Sequence, residues 1–388
     1  MSRATVRTPE VQTKLPAVGT TIFTVMSALA AEKNAVNLGQ GFPDFNCDPQ
    51  LLQAVTDAMA AGHNQYPPMP GILALREAIA AKIENLYGHR YDPQSEITIT
   101  AGATQAIITA ILAVVRPGDE VIVLEPCYDS YVPNIDLAGG TVVRVPLTPG
   151  SFRPDFAKIS AALTPRTRAI IVNTPHNPSA TVWTEAEMRQ LEDLLAPTDV
   201  LVISDEVYEH MVYAGARHES AARFPGLAAR SFIVSSFGKT YHVTGWKVGY
   251  LAAPAALSAE FRKVHQFNVF TVNTPMQHAL ARYMADPAPY LELPAFYQRK
   301  RDLFAEGLAK TRFKLLPSAG TYFQCVDISE VSALGESDFC QWLTSEIGVA
   351  AIPLSAFYGD GFDQRVVRFC FAKKDETLQA AIGRLARL

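Results

Sequence analysis

Between residues 97 and 253, short apolar runs alternate with helical patterns, and this alternation limits the possible folds more than any other feature of the chain. Strand candidates fall at 97–100, 121–124, 142–145, 169–172, 200–204, 232–235 and 248–252. Several, such as Ala169-Ile170-Ile171-Val172, are apolar at every position instead of at alternate ones. A strand reads that way when helices cover both faces of its sheet. Helical patterns at 104–115 and 185–195 separate the runs. The segment therefore predicts an α/β domain around a mostly parallel central sheet.

The flanks read differently. From residue 287 a long helical pattern over 290–311, strand-like runs at 322–326 and 366–371, and two further helices predict a smaller α+β domain. The first 45 residues show little periodicity. They are expected to wrap onto the small domain or onto a partner subunit. The predicted division is 1–45 as an N-terminal arm and part of the small domain, 46–286 as the large domain, and 287–388 as the small C-terminal domain. A chain of 388 residues, 48% hydrophobic, has material for that.

Charge and cysteine usage exclude several classes of function. A net charge of -4 with no basic patch argues against nucleic acid, and there is no room for an added DNA-binding module. No apolar run reaches the length of a membrane span, and residues 1–7 carry no apolar core of a secretory signal. The five cysteines, Cys47, Cys127, Cys325, Cys340 and Cys370, are odd in number and form no CxxC pair. They read as free thiols in a reducing, cytoplasmic compartment, with neither a disulfide frame nor a metal site.

In an open parallel sheet, ligands bind beyond the carboxyl ends of the strands, and the residues there form a consistent set. After 97–100 comes Ala101-Gly102-Ala103-Thr104-Gln105, which opens a helix. Small residues at such a helix start let backbone N–H groups meet an anion such as phosphate. After 121–124 comes Tyr128, which could stack on a planar ring. After 169–172, Asn177 sits between two X-Pro turns, and its amide could donate to a ring oxygen. His176, beside it, is assigned no chemistry. After 200–204 come Asp205 and Tyr208. A buried carboxylate is costly without a cation, and a pyridinium N–H is a suitable one. After 232–235 come Ser236, Lys239 and, eight residues on, Lys247. A lysine amine can condense with an aldehyde, while a serine hydroxyl and a lysine charge can both hold phosphate. Each position alone has an ordinary reading as a turn, a cap or a packing residue.

With these residues in hand, the chain resembles the class I aminotransferases of pyridoxal phosphate fold type I, over nearly its whole length. The resemblance rests on Asn-Thr-Pro-His-Asn-Pro-Ser at 173–179, Ser-Asp-Glu-Val-Tyr at 204–208 and Ser-Ser-Phe-Gly-Lys-Thr at 235–240. Within that family it is most similar to the kynurenine aminotransferase-like branch with its methionine aminotransferases. The segments that point there are Gly39-Gln40-Gly41-Phe42-Pro43-Asp44, the run from Gly238 to Lys247, and Ala350-Ala351-Ile352-Pro353.

The resemblance implies pyridoxal 5'-phosphate as cofactor and a role for each residue. Lys239 bonds the cofactor and moves the Cα proton, and Asp205 pairs with the ring nitrogen. Asn177 and Tyr208 bind the ring hydroxyl, and Tyr128 stacks on the ring. Ala103, Thr104, Gln105, Ser236 and Lys247 surround the phosphate. Tyr66 reaches the phosphate of the neighbouring subunit in a homodimer with shared active sites. Arg368 forks onto the substrate carboxylate, and Gly41, Asn177 and Phe23 complete the substrate site. Phe23, Phe42, Tyr66 and Phe270 line the side-chain pocket. The implied substrates are a 2-oxo acid and an amino acid: methionine first, then aromatic or other large neutral amino acids, kynurenine or glutamine. A C–S β-lyase would share every cofactor residue. Two departures stand out: many relatives have Gly in place of Ala180, and some have Arg in place of Lys247.

Overall fold

Seven strands form the main sheet of the computed structural model, which describes residues 9–213 and 215–388. They are β1 (Ile97–Thr100), β2 (Glu120–Glu125), β3 (Thr141–Pro146), β4 (Thr167–Asn173), β5 (Leu201–Asp205), β6 (Ser231–Ser236) and β7 (Gly249–Ala252). Their spatial order is β1-β7-β6-β5-β4-β2-β3. Only β7 runs antiparallel to its neighbours, so the sheet is mostly parallel.

The apolar runs have the cause expected of them. Along β2, Val121 and Val123 pack into one hydrophobic cluster, with Ile107 and Ile111 of the helix Gly102–Val114. Ile122 and Leu124 pack into the other, with Met188 and Leu191 of the helix Glu185–Leu195. Successive side chains point to opposite faces, and both faces are dry. The helix Glu185–Leu195 starts at Thr184, whose hydroxyl and the Glu187 carboxylate close a reciprocal capping box.

A four-stranded antiparallel sheet lies apart from the main one: Ile352–Pro353, Val366–Cys370, Phe323–Asp327 and Lys314–Leu315, in that spatial order. The N-terminal segment joins this part, because Val36–Asn37 pairs in parallel with Val349–Ala350. The expectation of little periodicity there is corrected by a helix over Ile22–Glu32, capped by Thr21. Only Met26 and Ala30 are fully buried in it, and Ala-rich turns on the other faces hide so narrow a stripe. The single long helix expected over 290–311 is also corrected. It is two helices, Ala288–Leu291 and Leu293–Leu308, each with proline in its first turn. Proline has no N–H to donate and is tolerated only there, so it starts a second helix instead of continuing the first.

No helix among the described residues is long and apolar enough to cross a membrane. No cluster of His, Cys, Asp and Glu among them could hold a metal. The cysteines are all buried and unbridged. The stretch 1–7 read for a targeting signal lies outside the described residues.

Candidate active site

The carboxyl ends of β4, β5 and β6 meet at one cavity. Asn173 ends β4 beside Asp205 at the end of β5, and Asp205 stands beside Val234 of β6. Parallel pairing sets these strand ends level, so residues far apart in the chain open into one space. Ala103, Thr104, Tyr128, Asn177, Asp205, Tyr208, Ser236, Lys239 and Lys247 all line it, with Asn173 and Thr244.

One end is built for an anion. The helix Gly102–Val114 points its first N–H groups into the cavity, and its N-terminus carries partial positive charge. Gly102 has φ +76, and a Cβ there would stand 3.3 Å from the Lys247 amine. Gly249 on β7 has no space for a side chain: a Cβ would lie 2.7 Å from the Ser235 carbonyl and 3.2 Å from the Ala103 nitrogen. The close approach of β7 to this helix start therefore requires glycine. Ser236 caps the short helix Phe237–Thr240.

The other end holds Asp205, which is buried. Its carboxylate accepts the Tyr131 hydroxyl at 2.6 Å and, at 3.4 Å, the Val207 N–H. Burial outweighs these donors and pushes the carboxyl up to about 6. Asn173 braces the turn: its amide donates to the Asp205 carbonyl and accepts the Asn177 N–H, both at 2.8 Å. Between the two ends lies Lys239, whose amine is brought down to about 8 by burial. A phosphorylated planar ring with a basic nitrogen and an aldehyde between them matches this set of donors, and pyridoxal phosphate is such a molecule.

Arg368 is 1% exposed and comes from the four-stranded sheet. It donates to the Asn177 side-chain oxygen at 2.5 Å and to the Gly39 carbonyl at 3.3 Å. Its Nε has no partner among the described residues. Phe323, Phe357 and Phe23 surround the guanidinium, with ring centres 3.9, 5.0 and 5.5 Å away. Gly41 lies next to the lysine, its carbonyl 3.3 Å from the Lys239 amine.

Other expected residues stand elsewhere. The Gln105 side chain does not line the cavity. It accepts the Ala101 N–H at 2.8 Å and contacts Thr109 and His265, so it braces the loop. Tyr66 is 83% exposed, with its ring edge-on to Phe270 at 5.3 Å in an open groove formed with residues 271–275. Phe42 is an exposed ring beside the Lys373 amine. His176 is buried against Ser179 at 2.6 Å, and burial takes its imidazole down to about 4. The sequence reading did not single out Tyr131, Asn173, Phe323, Phe357 or Tyr322. Asn173 alone carried a signal, its place in the 173–179 motif.

The family model for aminotransferase class I and II matches residues 33–385. The methionine aminotransferase of Escherichia coli (strain K12) is 55% identical over 97% of this chain and 98% of its own. A crystal structure of an Escherichia coli protein with methionine aminotransferase function superposes with a TM-score of 0.97 at 54% identity, over 98% of this chain and 100% of that one. Kynurenine–oxoglutarate transaminase 3 of Rattus norvegicus is 37% identical over 93% of this chain and 86% of its own. Matches of that length and identity make the chain a member of the class I and II aminotransferases, pyridoxal phosphate enzymes of fold type I that move amino groups between amino acids and 2-oxo acids.

Proposed function

We propose that this aminotransferase takes methionine as its amino donor and works as a cytoplasmic homodimer. The identity to the Escherichia coli methionine aminotransferase supports the donor. The observation that carries the reading is the Arg368 guanidinium among three phenylalanine rings, one amide away from the cavity. An α-carboxylate satisfies the fork, and an apolar unbranched side chain suits the rings beside it. A dicarboxylic substrate would need a second cation there. The division into residues 46–286 and a smaller unit from residues 1–45 and 287–388 belongs to the same reading.

Bound pyridoxal phosphate supplies an electron sink for negative charge developing at the substrate Cα. In this reading Asp205 holds the ring nitrogen protonated. Above pH 6 its carboxyl is ionised, and a cation beside it extends that range downward. Asn177 and Tyr208 fix the ring hydroxyl, and Tyr128 covers one ring face. Ser236, Lys247 and the N–H groups of Ala103 and Thr104 hold the phosphate. Arg368 orients the amino acid by its carboxylate. Lys239, with an amine near 8, is deprotonated often enough at neutral pH to take the Cα proton as a general base. Tyr66, outside its own cavity and exposed, is assigned to the phosphate of the second subunit.

A second reading is a kynurenine or glutamine aminotransferase with cysteine-conjugate β-lyase activity, favoured by the kynurenine–oxoglutarate transaminase relatives. A panel of amino acids separates the two, scored by the absorbance change of the first half-reaction. Methionine should be fastest and aspartate slow. Kynurenine ahead of methionine, or pyruvate released from a cysteine conjugate without an oxo acid, would establish the second reading. Sedimentation tests the dimer: a fully active monomer would end it.

A further inference from the structure

The amine of Lys239 is not paired with Asp205. It is held by two oxygens from elsewhere: the Tyr322 hydroxyl at 2.8 Å and the Gly41 carbonyl at 3.3 Å. The Tyr322 hydroxyl donates in turn to the same Gly41 carbonyl. The neighbouring carbonyls of this segment serve cations too. Gly39 accepts from Arg368, and Phe42 accepts from Lys373 at 2.8 Å. We propose that Tyr322 is a positioning residue for the reaction: its hydroxyl, fixed by Gly41, holds the Lys239 amine whenever that amine is free and sets where it stands for proton transfer. The inference rests on Lys239 being the reacting amine and adds a residue to which no role has been given.

Tyr322 is built to hold a position. It is fully buried. Its ring meets Tyr208, Phe323 and Tyr297 at centroid distances of 5.2, 4.9 and 5.8 Å. The chain leading to it is closed in on both sides. A Cβ on Gly320 would come within 2.7 Å of Pro175 and Val182. Thr321 stands at φ +63, unusual for a β-branched residue. Its N–H donates to the Met211 carbonyl at 2.9 Å, and its carbonyl accepts the Tyr213 hydroxyl. The loops that carry Asn177 and Tyr208 therefore also fix Tyr322.

The direction of the bond decides its effect. The hydroxyl hydrogen points to the Gly41 carbonyl, with the Tyr208 hydroxyl as the other neighbour of that oxygen. An ammonium can only donate, so both contacts to the charged amine are acceptors. Acceptors favour the protonated amine. The charged groups facing it divide in sign: Asp205 favours the charged form, Lys247 and Arg368 oppose it, and the Cys370 thiol, pushed up by burial, stays neutral. Burial is the largest influence and favours the neutral form. Loss of the Tyr322 oxygen should therefore lower the pKa of the free amine further.

The test is Tyr322→Phe, which deletes one oxygen and keeps the ring packing. Cofactor is removed, and carbamylation of Lys239 by cyanate is followed against pH by peptide mass spectrometry. The midpoint should fall by about one pH unit, the size expected for losing one hydrogen bond to a charged group. In the holoenzyme kcat for methionine should fall while KM holds, and the isotope effect from Cα-deuterated methionine should grow. Tyr297→Phe is the control, because the Tyr297 hydroxyl in the same aromatic cluster has no partner among the described residues. It should leave the midpoint where it was. An unmoved midpoint in Tyr322→Phe, or an equal shift in Tyr297→Phe, overturns the proposal. Failure of the lysine assignment shows separately, as borohydride fixing no cofactor to Lys239 in the unaltered enzyme, and takes this proposal with it.

Discussion

Two lysines, the buried Lys82 and the partly buried Lys239, meet two carboxylates only four residues apart in the chain, Glu209 and Asp205, with opposite results. Lys82 lies 2.6 Å from Glu209, with side chains 5% and 2% exposed. Glu209 also accepts the hydroxyls of Tyr87, Ser235 and Tyr250, at 2.6, 2.6 and 2.9 Å. Burial alone would raise its carboxyl, but the adjacent ammonium and these donors hold it well below the usual carboxylate range. Asp205 is buried as deeply and Lys239 only partly, yet the two make no ion pair, and desolvation moves each toward its neutral form. The difference separates structure from chemistry. A buried charge with all its partners fixes the fold, whereas an under-served one stays available to a cofactor and a substrate.

The largest effect should come from Lys239→Ala. Turnover should fall at least about 1,000-fold, as when an enzyme loses a nucleophile that acts as a unit with its neighbours. The melting temperature should hold, and borohydride should no longer fix cofactor to the chain. Near-normal activity would break the comparison at its reactive end. Lys82→Met probes the other end. Removing one partner of a buried pair should cost roughly 3–5 kcal/mol of stability, read from denaturant melts, with little change in kcat per folded molecule. A lost kcat with unchanged stability would show that the pair serves chemistry after all.

Asp205→Asn sharpens the contrast, since it should have opposite effects on rate and on stability. The rate should drop about 100-fold, the usual loss for one preorganised electrostatic partner. A change below about tenfold would return Asp205 to a capping role. The folded carboxyl, near 6, lies above the ordinary value of about 3.9. Its contribution to apoenzyme stability is therefore present below about pH 4 and lost as pH rises through 6. An amide avoids that loss. The cofactor-free variant should melt a few degrees above the parent at pH 8, and the two should converge near pH 4. Arg368→Lys should raise KM about tenfold for every amino and oxo acid, because an ammonium lacks the guanidinium fork. If only some substrates weaken, Arg368 reads the side chain instead. Ala180→Gly should have the smallest effect. Ala180 sits at φ +62, in the left-handed region that glycine enters freely. Relief of that strain should add up to about 1 kcal/mol, measured by urea melts.

The cavity floor could be read from sequence because each part of it is local. Asp205 and Ser236 end their own strands, Asn177 and Lys239 follow theirs within a few residues, and parallel pairing of β4, β5 and β6 aligns those ends without further instruction. The apolar runs told the same story, since two dry faces leave a strand no polar positions. The helix Ile22–Glu32 and the break at Leu293 were less legible, one for want of a wide apolar stripe and the other because a proline start resembles a helix interior in pattern alone.

By itself, then, the sequence determined the α/β sheet, the residues at its carboxyl ends and the aminotransferase family, because all three are written in runs and motifs of neighbouring residues. Tertiary structure alone decided which groups have partners. Tyr131 reaches Asp205 across 74 positions, Tyr322 reaches Lys239 across 83, and Arg368 reaches Asn177 across 191. No local pattern encodes such contacts. Tyr322 and Arg368 make theirs because two separate sheets pack together, and Tyr131 makes its own from the helix Tyr131–Leu137 packed on the main sheet. This packing leaves Lys239 and Asp205 short of charge partners while Lys82 and Glu209 are fully served.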